Sequence, residues 1–252
     1  PAPQMNMVRP VKGRPLPFAV SIEGAAPLSG TLRYEVVEAT GSTVHFRARA
    51  GAWQVDKTFR LLPRQYELKI DLALTNVGAA PAEGQLTVHN ARDIDPTHEE
   101  APSFFGSIGN QASLACQVGD ELHRKLPAED DKAKEAFPGP VAFGGIDQQY
   151  FFSAGYPLGG PKGGVCHTLA SHTVREVNLS WPLTVAPGET FSLALGAFLG
   201  PKDLELLKRV GSPDPAQGEQ LAAVSPQLEH SVDFGWWAVI CKVLLLVMKF
   251  FY

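Results

Sequence analysis

The chain has 252 residues, a length that suits one large domain or two small ones. Its 22 basic and 26 acidic side chains give a net charge of −4, so the composition does not favour a nucleic-acid partner. Hydrophobic residues make up 44% and charged residues 19%, which excludes global disorder, and 24 glycines with 21 prolines indicate many turns.

Residues 1–17 are rich in proline and have no hydrophobic periodicity, which is typical of a linker or an extended edge segment. From residue 18 to about residue 200, apolar and polar side chains alternate. The clearest alternating runs are 44–50, 66–74, 177–181 and 191–197. This period predicts strands with one buried face, and helical patterns are nearly absent between them. We therefore expect residues 18–200 to form one all-β domain, a large antiparallel β-sandwich.

A charged stretch, residues 120–136, interrupts the strand pattern with six acidic and four basic side chains. Such mixed charge is most often a solvated surface. We therefore expect an exposed loop here, with at most one helical turn after Pro127.

The three cysteines match neither a disulfide-rich scaffold nor a zinc site, and their odd number leaves at least one free thiol. Cys116 and Cys166 are the pair expected within the sandwich, and a bond between them would stabilise it by about 4 kcal/mol. A buried free cysteine behaves as a small hydrophobe, so we expect the two thiols to stay free.

The pattern changes after residue 200. Leu204, Leu207 and Val210 follow one another at intervals of three, which predicts a short helix. A loop rich in proline and glycine comes next, so we interpret residues 201–231 as a helical linker. Residues 232–252 form a last segment that is almost wholly apolar.

Two lysines, Lys242 and Lys249, are the only charged side chains in residues 234–252. On a helix, their spacing of seven residues places them within roughly 20° of each other. Aromatic residues occupy both ends, where they suit the depth of lipid headgroups. The residues predicted to contact the membrane interface are Phe234, Trp236, Trp237, Lys242, Lys249, Phe250, Phe251 and Tyr252.

Two other interpretations of residues 234–252 stay open. A transmembrane helix would place Lys242 near the bilayer centre, at a cost of roughly 2.5 to 3.5 kcal/mol. A helix in the protein core would fit less well, because this one would be apolar nearly all round with two aligned lysines. We favour an amphipathic helix lying in the membrane interface. The apolar end also leads us to expect that the chain is part of a longer protein.

An enzymatic site finds little support. His98 beside Glu99 is the strongest acid–base candidate, but the two residues lie in a polar loop and lack the spacing of a zinc-protease motif. The glycine-rich segments around 143–145 and 159–164 match neither a phosphate loop nor a dinucleotide fingerprint. We expect no catalysis, no metal and no cofactor.

Four segments resemble, in the same order, the large periplasmic domain of the YidC membrane protein insertases. They are residues 57–76, KTFRLLPRQYELKIDLALTN; residues 143–157, FGGIDQQYFFSAGYP; the strand and helix around Pro187-Gly188 and Gly200-Pro201-Lys202; and the step Asp233-Phe234-Gly235 that precedes the terminal run. Each short motif is weak alone, but together they cover most of residues 50–252.

The resemblance implies a β-supersandwich fold similar to galactose mutarotases, on the periplasmic side of a bacterial inner membrane. It implies a transmembrane helix before this chain and an insertase core after it, whose groove arginine the chain does not contain. The implied partners are membrane lipid, Sec translocon components such as SecDF and SecY, and nascent membrane proteins. A carbohydrate- or peptide-binding module, or an enzyme similar to aldose epimerases, is the alternative on the same fold.

Overall fold

The computed structural model describes residues 10–62, 66–94, 112–125, 134–159, 162–171, 173–211 and 226–232. Within them the chain forms thirteen strands, one α-helix and one 3-10 helix. The strands are β1 Val20–Gly24, β2 Glu35–Ala39, β3 Thr43–Ala50, β4 Trp53–Leu62, β5 Glu67–Asn76, β6 Ala82–Asp93, β7 Ser113–Val118, β8 Glu121–Lys125, β9 Lys134–Asp147, β10 Phe151–Pro157, β11 Lys162–Ala170, β12 Val174–Val185 and β13 Thr190–Pro201. The helices are α1 Leu204–Arg209 and the 3-10 helix Leu228–Ser231.

All the described strand pairs are antiparallel and belong to one sheet with the order β1-β6-β12-β11-β9-β10-β13-β5-β4-β3-β2. The long strand β9 joins two halves of this sheet. Its first part pairs with β11, and its end pairs with β10 and with β7, which carries β8. The two halves pack face to face, so the predicted all-β antiparallel sandwich is confirmed.

Alternating apolar side chains from both halves fill the space between the sheets. Leu72 and Leu74 of β5 belong to the same core as Val177 and Leu179 of β12. Trp53 is fully buried in this core, and its indole N–H donates to the carbonyl of Ala26 over 2.8 Å. The alternation of apolar and polar residues in the sequence therefore identifies correctly which side chains of these strands face the core.

A second core lies on the other face of β9, β10 and β13, beneath the helices. These central strands are consequently buried on both faces. Its buried members are Leu62, Ala115, Phe143, Phe152, Ala154, Tyr156, Leu158, Phe198, Leu207, Val210 and Leu228.

The prediction of free thiols was wrong for Cys116 and Cys166, which form a disulfide. Cys116 lies opposite Gly144 of β9, and a side-chain carbon at Gly144 would come within 3.1 Å of the Cys166 sulfur. The glycine therefore leaves the space in which the two sulfurs meet. Their Cα atoms are 6.1 Å apart, a normal separation for a bonded pair.

The predicted exposed loop at residues 120–136 was also wrong in part. Residues 121–125 form β8, and β9 begins at Lys134; the residues between them lie outside the described part of the chain. Charged side chains of β8 form ion pairs with neighbouring strands. Lys125, for example, pairs with Glu135 of β9 over 3.1 Å. A mixed-charge sequence can thus form a strand when its backbone pairs with a neighbour, here β7.

Candidate functional site

The residues predicted to contact the membrane interface, Phe234, Trp236, Trp237, Lys242, Lys249, Phe250, Phe251 and Tyr252, lie outside the described residues. Among the residues that the structure does describe, none of the helices has the length and hydrophobicity needed to cross a bilayer. The described part of the chain does show how the segment leading toward residue 233 is held against the sandwich.

Helix α1 begins directly after the last strand, as predicted from the leucine spacing. The Asp203 carboxylate caps its N-terminus by accepting from the backbone N–H of Leu206 over 2.8 Å. Leu207 and Val210 are fully buried against the second core. The helix is only one and a half turns long, so tertiary burial rather than intrinsic propensity keeps it formed.

Asp147, at the end of β9, is the first of two buried carboxylates that hold this segment. Its side chain is 3% exposed and pairs with Lys202 over 2.8 Å and with Arg124 over 3.0 Å. Burial raises the pKa of Asp147, and the two neighbouring cations oppose that rise. The second terminal nitrogen of Arg124, Nη2, donates to the backbone carbonyl of Ser231 in the 3-10 helix.

Glu67, at the start of β5, is the second buried carboxylate. The Tyr156 hydroxyl donates to its Oε2 over 2.7 Å, and the backbone N–H of Gly211 donates to the same oxygen over 3.1 Å. Burial raises the pKa of Glu67, while both donors favour the charged form. Burial and the facing carboxylate of Glu67 raise the pKa of Tyr156 well above its usual value.

We call this arrangement the C-terminal junction: α1, the 3-10 helix, and the two carboxylates Asp147 and Glu67 with their partners. Glu67 fixes the end of α1, and Asp147 fixes both the start of the segment and the 3-10 helix. Because each buried charge is paired and hydrogen-bonded, loss of one partner would leave an uncompensated charge in the interior. The junction therefore holds residues 226–232 at a defined place on the sandwich.

Sequence reasoning did not find these two residues. Alternation placed Glu67 on the polar face of β5, and that assignment of the face is right. The face is nevertheless buried at this point, where Tyr156 and Gly211 both donate to the Glu67 carboxylate. Asp147 stands within a segment quoted for the family resemblance, but no spacing in the sequence connects it with Arg124 or Ser231.

A second polar cluster joins the N-terminal residues to the outer face of β6 and β12. The Ser21 hydroxyl lies 2.8 Å from Nε2 of His89, a nucleophile–base distance that the sequence did not suggest. Asn178 donates to Glu176 over 2.6 Å, and Arg14 pairs with the other oxygen of Glu176 over 2.8 Å. Burial lowers the pKa of His89, which keeps its ring neutral at pH 7.

For acyl transfer, the Ser21–His89 pair would need a hydrogen-bond donor for the developing oxyanion. The usual oxyanion donor is the N–H of the residue after the nucleophile. Here that group belongs to Ile22 and donates to the carbonyl of Leu28 over 3.0 Å. The cluster instead ties residues around Arg14 to the sheet.

The acid–base candidates from the sequence, His98 and Glu99, lie outside the described residues. Across the described ranges, no three His, Cys, Asp or Glu side chains stand close enough to hold a metal ion. A cavity between the sheets, lined by Phe18, Asn90, Tyr156 and their neighbours, measures about 10 Å³. That is room for roughly one water molecule, so a sugar does not fit this cavity.

Comparison with known proteins identifies the family. The sequence model of the YidC periplasmic domain matches residues 24–247. This chain belongs to the YidC periplasmic domain family. The resemblance that the sequence segments indicated is thereby confirmed, and the match includes the whole C-terminal junction.

Curated relatives of this YidC domain are named membrane protein insertase YidC. The protein of Anaeromyxobacter sp. strain Fw109-5 is 28% identical over 260 residues, which covers 98% of this chain and 43% of the relative. The protein of Bordetella pertussis is 29% identical over 220 residues, covering 83% of this chain and 35% of the relative. The chain thus spans less than half the length of these relatives.

Several solved structures are similar to this chain at low sequence identity. A putative aldose 1-epimerase from Escherichia coli aligns with a TM-score of 0.45 and 14% identity, over 67% of this chain and 68% of that one. A galactose mutarotase-like protein from Lactobacillus casei aligns with a TM-score of 0.47 and 13% identity, over 66% and 72% of the two chains. At this level of identity the likeness concerns the fold and does not carry activity to the chain.

Proposed function

We propose that this domain is the periplasmic, non-catalytic part of a membrane protein insertase that assists the insertion and folding of inner-membrane proteins, alone or with the Sec translocon. The match to the YidC periplasmic domain over residues 24–247 carries the proposal. The names of the curated relatives support it. The domain acts as a docking module, with SecDF and SecY as its expected protein partners.

In this proposal, residues 232–252 form an amphipathic helix on the periplasmic face of the inner membrane. Lys242 and Lys249 face the headgroups, while the tryptophan and leucine side chains enter the boundary with the acyl chains. Two lysines add about 1 kcal/mol each near an anionic surface, so burial of apolar side chains dominates the binding.

The C-terminal junction supports a positioning role for the sandwich. Residues 226–232 are attached through Arg124 to the buried Asp147, and Asp147 also holds Lys202 at the end of β13. A helix that follows such a junction would inherit its direction from the sandwich. The domain would then stand at a defined orientation above the membrane rather than swing on a free linker.

Co-sedimentation with liposomes tests the membrane helix. The 252-residue chain is compared with a chain that ends at Val232, which keeps every described residue. We expect the full chain to partition onto vesicles of anionic and zwitterionic lipid at least tenfold more strongly than the shorter chain. Equal partitioning of the two would contradict the membrane helix.

Charge reversal separates the electrostatic contribution from the apolar one. Lys242→Glu with Lys249→Glu should weaken binding to anionic vesicles roughly thirtyfold or more, at about 1 kcal/mol for each lysine lost, and should change binding to zwitterionic vesicles little. Lys208→Glu with Arg209→Glu is the matched control, because it changes the net charge equally on the exposed side of α1. An equal effect of the two pairs would show that net charge, and not the predicted helix, governs binding.

A further inference from the structure

Strand β2 forms one end of the sheet and presents a free edge. Among the strands that the structure describes it pairs with β3 alone, and all of Glu35–Ala39 is exposed. The backbone groups on the outer side of such a strand are available to a further strand. We call this strand with its outer side the β2 edge.

An apolar patch adjoins the β2 edge. Val36 and Val37 are 60% and 51% exposed, which is unusual for adjacent valines in a strand. Val36 lies opposite Phe46, whose ring contacts Tyr34 at 6.5 Å and Phe59 at 5.9 Å between centroids, both edge to face. A contiguous group of this kind marks an interaction surface more often than scattered exposed residues do.

The base of this patch is fixed before any partner arrives. Lys57, which is 4% exposed, lies with its ammonium 5.1 Å from the centre of the Tyr34 ring. The same ammonium donates to the carbonyl of Phe18 over 2.6 Å. Because the aromatic side chains are already held in place, a partner would lose little free energy in ordering them.

The charge along the β2 edge is acidic and uncompensated. Glu35 lies opposite Arg47, and Glu38 lies opposite His45, but Asp56 binds both of those side chains, at 2.7 and 2.8 Å. Neither glutamate has an ion-pair partner among the described residues. The edge therefore offers two valines between two free carboxylates.

This charge pattern argues against a second copy of the chain as the occupant. An antiparallel copy centred between Val36 and Val37 would place Glu35 opposite the Glu38 of the other molecule at both ends. A parallel copy in register would place each glutamate beside its equivalent. Like charges directly opposite each other destabilise a strand pair, whereas opposite charges stabilise it.

We propose that the β2 edge binds, as an added strand, an extended segment of a partner protein in which a few apolar residues are flanked by lysine or arginine. The proposal rests on the proposed docking function and names the chemistry of the partner. The backbone of the segment pairs with β2, its apolar side chains cover Val36 and Phe46, and its basic residues meet Glu35 and Glu38. A bulge between Val36 and Glu38 shortens the ladder, so the contact has the size of a transient interface.

Binding of labelled peptides to the 252-residue chain tests the proposal, with fluorescence anisotropy as the measurement. The probe peptide has lysines flanking the sequence Val-Thr-Val, and one control peptide has glutamates in their place. A second control has proline as the central residue, which prevents strand pairing. We expect each control to bind at least tenfold more weakly. Equal binding of the three peptides, or no binding of the probe, overturns the proposal.

Substitutions in the chain test whether the peptide binds at the β2 edge. Val36→Asp, and separately Glu35→Lys with Glu38→Lys, should each weaken the probe peptide at least tenfold. Val77→Asp is the matched control, because Val77 is 52% exposed in the loop after β5. Circular dichroism shows whether each variant is folded. Hydrogen exchange gives a second readout, because the bound peptide should slow exchange of the β2 backbone amides in the unmodified chain.

Two further outcomes are decisive. A dimer of the unmodified chain that Val36→Asp dissociates would overturn the proposal in favour of a second copy. Loss of peptide binding in Val77→Asp equal to that in Val36→Asp would remove the β2 edge from consideration. Neither result bears on sedimentation with liposomes, so failure of this proposal and failure of the membrane assignment remain distinguishable.

Discussion

Reduction of the Cys116–Cys166 disulfide would remove a covalent link between β7 and β11. The bond joins residues 50 positions apart, and both side chains are fully buried. Loop-closure entropy for that separation gives about 4 kcal/mol of stabilisation. In a chain of this size, each kcal/mol shifts Tm by roughly 2 to 4 °C, so reduction should lower Tm by roughly 8 to 16 °C.

Thermal unfolding of the oxidised and reduced chain measures this difference. Cys116→Ala with Cys166→Ala should unfold lower still, by about 1 to 2 kcal/mol, because the missing sulfurs leave space in the core. Cys241→Ala is the control for loss of a cysteine outside the bond. A reduced chain that unfolds within roughly 2 °C of the oxidised chain would refute the loop-closure argument. Three free thiols in unfolded, unreduced protein would refute the bond itself.

Two buried ionisable groups give further predictions. The pKa of Glu67 is raised in the folded state, so its contribution to stability is complete below the unfolded pKa and is lost as the pH rises through the folded one. Glu67→Gln should therefore flatten the fall in stability as the pH rises above about 4 in urea unfolding, whereas Glu67→Ala should cost about 1 to 3 kcal/mol by leaving the Tyr156 hydroxyl unpaired. An unchanged pH profile for Glu67→Gln would argue against the shift. Burial lowers the pKa of Lys57 to about 8, so the folded chain binds fewer protons than the unfolded one above that value and stability should rise from about pH 8 to 10. Lys57→Met should abolish this rise, and a rise that persists would assign it to another group.

The sandwich was predictable because its core follows the period of strands. In β12, Val177, Leu179 and Trp181 alternate with polar residues and all three are buried. In β5 the same alternation identifies Leu72 and Leu74 correctly. These positions need only one buried face and an antiparallel neighbour, and both conditions are local properties of the sequence.

The junction and the disulfide were not predictable because they depend on contacts between distant strands. Tyr66 was expected inside and is 55% exposed, with a left-handed backbone at φ 56°, while the adjacent Glu67 is buried beneath Gly211. Cys116 meets Cys166 beside Gly144 of a third strand, where a side-chain carbon would come within 3.1 Å of the Cys166 sulfur. Alternation reports which face a residue occupies, but it does not report what covers that face.

The C-terminal junction and the β2 edge differ in how strongly solvent screens their charges. Asp147 and its partners are mostly enclosed, so their attraction is little screened by salt and the C-terminal junction keeps its geometry as the ionic strength changes. Glu35 and Glu38 are exposed, and at a Debye length of about 8 Å their attraction for a basic segment is weak until the segment is nearly in contact. The sandwich thus combines a firm attachment on the side of residue 233 with an edge suited to brief, reversible contacts.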